Sequence, residues 1–274
     1  MTDFTLYALP IFFILIIVEI LVGGWKNKQS YSKKDTVASL SMFVGNVVII
    51  LATKSLFYVF YGMLYEYRIF EIENNAWGLI GHFIAIDFVF YWFHRFSHQV
   101  RFLWASHVNH HSSEHLNFST ALRQSWTGPF MRPLFYWVLP VLGFDPLMMI
   151  TMGSLATIYG FWTHTEHIGK LGALEWILVT PSHHRVHHGS DAEYVNHNYA
   201  NVFIIWDRAF GTFAPEKVPV TFGLTQNIKT FNLFKIVFHE WIALSREIRS
   251  SKNIINGIQC LLKPPGWKPL QTKN

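Results

Sequence analysis

Eleven of the fifteen histidines in this chain occur in four short clusters. Separations of three or four residues recur within the clusters and place side chains on one face of a helix. Neutral imidazole is the commonest metal ligand among side chains, so the clusters predict a metal site rich in histidine. One closed zinc site takes about four protein ligands, and we therefore expect two metal ions. The clusters are His94 and His98; His107, His110 and His111; His164 and His167; and His183, His184, His187 and His188.

A ligand set composed almost entirely of histidine suits iron, copper or zinc better than magnesium or calcium. Two irons beside a bilayer would activate O₂ for attack on an unactivated C–H bond, which requires an external supply of electrons. The chain has no dinucleotide, P-loop or flavin fingerprint. Reducing equivalents must therefore come from a partner protein or a diffusible cofactor.

Two other functions use the same residues. A zinc hydrolase at the membrane surface would need an open zinc position and a general base such as Glu166. A histidine-rich metal transporter would need polar ligands deep within its spans, where only Glu19, His82 and Asp87 qualify.

The composition is that of a membrane protein. Hydrophobic residues make up 51% of the chain and charged residues only 14%, against roughly 25% charged in ordinary soluble domains. The net charge of +5 fits segments held near an anionic leaflet. The basic residues are scattered and form no stripe, so nucleic acid is not expected as a partner. The single cysteine, Cys260, excludes an intrachain disulfide.

Apolar stretches predict an all-α integral membrane protein that crosses the bilayer several times. We interpret the first stretch as a retained anchor rather than a signal peptide, because no basic residue precedes it and no cleavage site follows. The last stretch is interrupted at 143–146 by Gly-Phe-Asp-Pro, a turn signal that indicates a helical hairpin. The stretches are Leu6 to Val22, Val37 to Leu64, Trp77 to Phe93, and Pro129 to Phe161.

The distribution of charge predicts the orientation of these spans. The lysines between the first two stretches, Lys26, Lys28, Lys33 and Lys34, favour the cytoplasm under the positive-inside rule. The acidic segment 66–73 then lies on the opposite side. Alternation of the spans brings every histidine cluster to the cytoplasmic face, with the amino terminus outside.

We divide the chain into transmembrane helices at 1–76, a catalytic region at 77–215 and a carboxyl-terminal part at 216–274. In the last part, 231–248 has an amphipathic pattern typical of a helix that lies in the membrane interface. We expect at most this one helix after residue 228, followed by an extended tail with Pro264, Pro265 and Pro269. Outside the clusters, His82, His115 and His239 are interpreted as hydrogen-bonded polar residues and His197 as a surface residue.

Three histidine motifs resemble the pattern of the fatty acid hydroxylase/sterol desaturase superfamily of membrane di-iron enzymes. They are His94-x₃-His98, His107-x₂-His110-His111 and His184-x₂-His187-His188, in the family's order. Longer strings within 87–213 resemble the alkylglycerol monooxygenase-like branch of that superfamily. These strings are Tyr91–Arg95, His110–Glu114, Asn117–Gln124, His164–Glu166, Thr180–Gly189, Asn198–Ala200 and Trp206–Thr212.

The resemblance implies roles for individual residues. The eight motif histidines would ligate two irons, with His164 as a ninth ligand. His167 is a further candidate, and His183 is either a ligand or a donor to one. Glu114 and Glu166 would accept ring N–H bonds, and Asn198 and Tyr199 would line the site.

The resemblance also implies O₂-dependent hydroxylation or desaturation of a membrane lipid, such as an alkylglycerol ether lipid, a fatty acyl chain or a sterol. In the branch the reductant is tetrahydrobiopterin, whereas other members of the superfamily take electrons from cytochrome b5 or a similar carrier, such as a ferredoxin-type donor. Both donors remain open for this chain.

Overall fold

The computed structural model describes residues 3–26 and 29–268, and this part of the chain is helical. Within these residues no strand forms, and β-type pairing is limited to two isolated antiparallel bridges, Leu178–Phe203 and Gly189–Phe222. The all-α prediction is confirmed. Lys28 of the lysine segment and Pro269 of the predicted tail lie outside the described residues.

Three long apolar helices open the chain: α1 (Phe4–Trp25), α2 (Lys33–Tyr65) and α3 (Ala76–Gln99). Each is long and apolar enough to cross a membrane, and they contain the first three predicted stretches. Polar side chains mark where two of them begin. Asp3 accepts a hydrogen bond from the Thr5 amide, and Asn75 accepts one from the Gly78 amide, so both act as N-caps.

Short helices follow α3 along the chain. They are α4 (Arg101–His111), α5 (Phe118–Ala121), α6 (Gly128–Met131), α7 (Pro133–Tyr136) and α8 (Val138–Leu142), and the longer α9 (Pro146–Trp162) follows them.

The predicted hairpin at 129–161 is therefore only partly right. Its turn forms as expected, because Gly143 ends α8 with a φ of 104° and Asp145 caps α9 through the Met148 amide. A Cβ at position 143 would also collide with the Phe70 carbonyl oxygen. The first arm is not one continuous helix but is divided among α6, α7 and α8. Pro133 and Pro140 lie within it, and proline removes a backbone donor and disrupts a helix interior.

The remaining helices are a 3₁₀ turn at Gly172–Trp176, then α10 (Pro181–His187), α11 (Ile205–Ala209), α12 (Leu233–Arg249) and α13 (Ile254–Leu262). Helix α12 confirms the amphipathic helix predicted at 231–248. The expectation of at most one helix in this region is wrong, because α13 follows after a short turn. Asn253 caps α13 by accepting a hydrogen bond of 2.8 Å from the Asn256 amide.

Helix α3, which carries His94 and His98, is central to the packing of the helices. Helix α3 packs against α4 and α9, α9 packs against α1, and α12 packs against α4 and α13. One buried cluster joins Tyr91 of α3 to Val179, Tyr199, Ala200 and Ile204. Helix α4 and the segments on both sides of α10 thereby pack against α3.

Candidate metal centre

Nine histidines form two groups, each of which can hold a metal ion. Within each group, one ring nitrogen from every member lies within 4.8 Å of the others. Of the eleven clustered histidines, the structure brings together these nine. The first group is His94, His98, His107, His111 and His187, and the second is His110, His164, His184 and His188.

Helical geometry explains how neighbouring histidines join different groups. His107 and His111 are one turn apart on α4 and share the first group, whereas His110 points into the second. His184 and His188, also four residues apart, share the second group, and His187 joins the first. Successive helical residues differ by about 100° in direction. Each H-x₂-HH motif therefore supplies both groups and holds them side by side.

Backbone carbonyl groups orient three of the rings. The Nδ1 atoms of His94, His164 and His187 donate to the carbonyl oxygens of Tyr199 (2.7 Å), Gly160 (2.8 Å) and His197 (3.1 Å). A carbonyl oxygen can only accept, so in the neutral ring the hydrogen is on Nδ1 and the Nε2 atom carries a lone pair. This arrangement is the usual one for a metal-ligating histidine.

The remaining nitrogens fit a cation. The Nε2 atoms of His94 and His107 are 2.9 Å apart, and those of His164 and His184 are also 2.9 Å apart. Two nitrogens at right angles around a metal ion with bonds of about 2.0–2.1 Å would lie about 3 Å apart. In the described part of the chain, the buried Nε2 atoms of His98, His187 and His188 have no hydrogen-bond partner. An unpaired buried polar atom is costly, and a bound metal ion would remove that cost.

Burial keeps the rings in the form that binds metal. Burial is the largest cause that lowers the pKa of His107, His110 and His111 well below the ordinary value, and neighbouring histidines add to it. Burial also lowers the pKa of His164 to about 4. These imidazoles are therefore neutral at pH 7, as ligation requires.

Two buried aspartates hold the segment 198–212 against the site. Asp87 of α3 accepts hydrogen bonds from the Val202 and Phe203 amides and from the Trp206 indole. Asp207 accepts from the amides of Tyr199 and Ala200 and from the Thr212 hydroxyl. Sequence reasoning did not assign this role to either residue, although Asp87 lies two helical turns before His94 and is an isolated charge in an apolar stretch.

Two buried arginines hold other parts of the site. Arg123 donates to the Asn109 carbonyl oxygen and pairs with Asp35 at 3.2 Å. It thereby connects the last turn of α4 to the first turn of α2. Arg185 of α10 donates to the carbonyl oxygens of Thr165 and Ile168 and pairs with Glu216 at 2.7 Å. The signal for Arg185 was its place inside the motif His184–His188.

His167 and His183 lie outside both groups. The Nε2 atom of His167 is 3.0 Å from the Ser30 hydroxyl. The Nδ1 atom of His183 accepts from the Thr180 amide at 3.4 Å and thus belongs to the N-cap of α10. Ligation by either residue stays a prediction.

The four residues expected to support the ligands have different positions. Glu114 is exposed. Glu166, which lies between His164 and His167 along the chain, is half-buried. The Asn198 amide bonds the backbone of His183 and Ala214. Tyr199 is fully buried, and its ring centroid is 5.3 Å from that of His98. Their roles at the metals remain predictions.

The histidines interpreted as structural include two with clear partners. His82 donates from Nδ1 to the Gly78 carbonyl oxygen and accepts at Nε2 from the Asp145 amide. His239 donates to the Ile236 carbonyl oxygen. These contacts agree with the interpretation of both residues as hydrogen-bonded polar groups.

Long apolar helices with two adjacent histidine groups define this chain as a helical protein of membrane type with a histidine-rich centre that can hold metal ions. Residues 79–212 match the family model "Fatty acid hydroxylase". This segment is a domain of the fatty acid hydroxylase family, and the predicted resemblance is confirmed. Every member of the two histidine groups lies within it.

Several proteins that are similar to this chain have names that describe lipid-modifying enzymes. The chain is 38% identical to alkylglycerol monooxygenase of Xenopus tropicalis and 39% identical to that of Homo sapiens. Each match covers 97% of this chain and 60% of the relative, so the chain spans about 60% of their length. It is 28% identical to ornithine lipid hydroxylase OlsE of Rhizobium tropici, over 53% of this chain and 45% of that protein. No solved structure matches the chain.

Proposed function

We propose that this protein is a membrane-bound, di-iron, O₂-dependent oxidoreductase that hydroxylates or desaturates a lipid. The observation that carries the proposal is the pair of adjacent groups of five and four histidines, most of them buried. Histidine nitrogens suit iron, and two neighbouring groups suit a pair of ions. The alkylglycerol monooxygenase relatives support a lipid monooxygenase.

The nine histidines would hold the two irons. When bound, the irons would supply the redox chemistry that activates O₂ and removes a hydrogen from a C–H bond. The chain itself keeps the rings neutral by burying them, and the carbonyl oxygens of Tyr199, Gly160 and His197 keep three Nε2 atoms directed inward. Burial of the rings also excludes water from the centre.

The substrate class we favour is an ether lipid such as an alkylglycerol, as the names of the relatives suggest. Hydroxylation would convert R–H, O₂, two electrons and two protons into R–OH and water. At the carbon beside an ether oxygen the product is a hemiacetal, which breaks down to an aldehyde and an alcohol. A fatty acyl chain and a sterol are the other substrates in this proposal. The electrons would come from tetrahydrobiopterin or from a cytochrome b5 or ferredoxin-type donor.

We also propose a multi-pass arrangement with the histidine groups on the cytoplasmic face. The three apolar helices support it by their length and composition. The lysines between the first two apolar stretches, two of which lie in the first turn of α2, support the orientation. The division into 1–76, 77–215 and 216–274 belongs to the same proposal.

The polar residues within the long helices argue against a metal transporter. His82 and Asp87 are occupied in the hydrogen bonds described above. The Glu19 carboxylate accepts from the Tyr31 and Thr165 hydroxyls and from the Phe118 amide. All three residues join separate parts of the chain, and a path for ions would need them to be available.

Metal analysis combined with isotope labelling tests the proposal. Protein purified from iron-supplied, zinc-limited cells should contain about two irons per chain. With a reductant and an alkylglycerol under ¹⁸O₂, it should yield an aldehyde that carries the label. His110→Ala and His187→Ala should lose this turnover, whereas His115→Ala, outside both groups, should keep it. Zinc alone, with product formed in the absence of O₂, would support the hydrolase instead.

A further inference from the structure

Helix α12 lies beside the first turns of α2. Ile236 and Val237 of α12 are fully buried against Ala38 and Met42 of α2. With 33 residues, α2 is about 50 Å long, whereas the hydrocarbon core of a bilayer is about 30 Å thick. Part of α2 must therefore extend beyond the hydrocarbon.

Burial along α2 identifies the part that extends. Its buried residues all lie between Asp35 and Asn46. Beyond them, apolar side chains such as Val48, Leu51 and Leu56 are exposed, as expected for a segment surrounded by lipid tails. Helix α12 packs on the buried part and consequently lies at the level where the bilayer surface begins.

The outward face of α12 is apolar. Phe234, Phe238, Trp241 and Ile242 line an open groove along the helix, and their spacing places them on one helical face. Phe234 is 65% exposed and Ile242 is 55% exposed. Helix α13, which packs against α12, adds Ile254, Ile255 and Leu262, each more than half exposed.

The charges of α12 are divided between its two sides. Arg101 at the start of α4 is buried and pairs with both Glu240 and Glu247, at 2.6 and 2.5 Å. The acidic side chains of α12 are thus directed inward. Its basic side chains Lys235, Arg246 and Arg249 are exposed and line the apolar groove. The outward surface is both apolar and cationic.

We propose that this surface, formed by α12 and α13 and here called the α12 surface, binds anionic phospholipid of the bilayer that surrounds the long helices. The apolar side chains would lie among the upper acyl chains, and Lys235, Arg246 and Arg249 would contact headgroup phosphates. Apolar faces bordered by basic residues bind anionic membrane surfaces in this way. Arg101 joins this surface to α4, which carries His107, His110 and His111. This binding rests on the multi-pass arrangement proposed above and depends neither on bound metal nor on turnover.

A spin label tests where the α12 surface lies. Ile242→Cys is labelled in the full chain, with Cys260, which is buried, replaced by serine. In nanodiscs that contain phosphatidylglycerol, the label should collide more often with O₂, which enters lipid, than with a water-soluble nickel complex. The matched control is Val218→Cys, an exposed apolar position in the segment between α11 and α12. A label at this position should collide more often with the nickel complex. Preference for nickel at position 242 would overturn the proposal.

A second measurement tests the headgroup charge. Native mass spectrometry of protein extracted from mixed phosphatidylglycerol and phosphatidylcholine bilayers should show preferential retention of phosphatidylglycerol. Each of Lys235→Gln, Arg246→Gln and Arg249→Gln should lower that preference, by up to about fivefold per cation. Lys217→Gln, also exposed, should leave it unchanged. Equal retention of both lipids would overturn the anionic preference. In the spin-label experiment, a label at position 242 that neither reagent reaches would show that a second copy or another protein covers the surface, and this would also overturn the proposal.

Discussion

The Nδ1 atom of His94 donates a hydrogen bond of 2.7 Å to the carbonyl oxygen of Tyr199, 105 residues further along the chain. The Tyr199 amide is in turn held by Asp207. The segment beside it is held by Asp87, on the same helix as His94. The orientation of the His94 ring therefore depends on two carboxylates that belong to neither group.

Replacement of Asp87 by asparagine should weaken both the fold and metal retention. The substituted side chain would present an NH₂ group where the wild-type oxygen accepts from a buried donor. Loss of a hydrogen bond to a charged group costs about 1.5–3 kcal/mol. We expect a lower melting temperature in detergent and less iron retained after dialysis against a chelator.

The matched control is Asp145→Asn. Asp145 caps α9 through the Met148 amide at 2.9 Å, and asparagine is about as good an N-cap as aspartate. It should leave both measurements close to wild type. If Asp87→Asn behaved in the same way, the proposed role of Asp87 would be wrong.

The two histidine groups should differ in their tolerance of a lost ligand. His188→Ala leaves three histidines in the second group, whereas His98→Ala leaves four in the first. We therefore expect greater loss of metal from His188→Ala, measured as metal per chain at a fixed chelator concentration. His115→Ala should match wild type. Equal losses from the two group variants would contradict the division into groups of four and five.

Removal of the Arg123 guanidinium should be strongly destabilising. Arg123 and Asp35 form an ion pair whose side chains are 1% and 7% exposed. Removing one partner of a buried pair typically costs about 3–5 kcal/mol. We expect Arg123→Met to lower the melting temperature markedly. Arg68→Met provides the comparison, because Arg68 pairs with an exposed glutamate, Glu71, and exposed pairs contribute about 0–1 kcal/mol. Similar melting temperatures for the two variants would argue against the structural role of Arg123.

The Glu216–Arg185 pair predicts that the stability of the fold decreases at acid pH. Burial disfavours the Glu216 carboxylate. The hydrogen bonds and charge of Arg185, together with Ser182 and Lys170, outweigh burial, so the pKa of Glu216 lies below its ordinary value of 4.5. A lowered pKa in the folded state gives stability that is complete above the ordinary value and is lost as the pH falls through the folded value. Between pH 6 and pH 3.5, the melting temperature of wild type should fall more steeply below about pH 4.5 than that of Glu216→Gln. Parallel curves would show that the pair does not stabilise the fold.

Much of the local structure followed from the sequence. The apolar stretches and the Gly143–Pro146 turn signal depend on neighbouring residues alone, and so do the i, i+4 spacings of His107 with His111 and His184 with His188. The amphipathic pattern at 231–248 likewise predicted α12. Helix α13 was missed because its short apolar run precedes a proline-rich tail, and the first hairpin arm was predicted as continuous although Pro133 and Pro140 interrupt it.

The sequence by itself determined that this chain is helical, apolar and rich in paired histidines, because helical periodicity and hydropathy are properties of short segments. Only the tertiary structure decided that nine histidines separate into groups of five and four. It also decided that the Tyr199 carbonyl oxygen orients His94 and that Arg101 holds α12 against α4. These relationships join residues far apart in the chain, and their geometry depends on how α3, α4, α9 and α10 pack together. Spacing along the sequence cannot specify such packing.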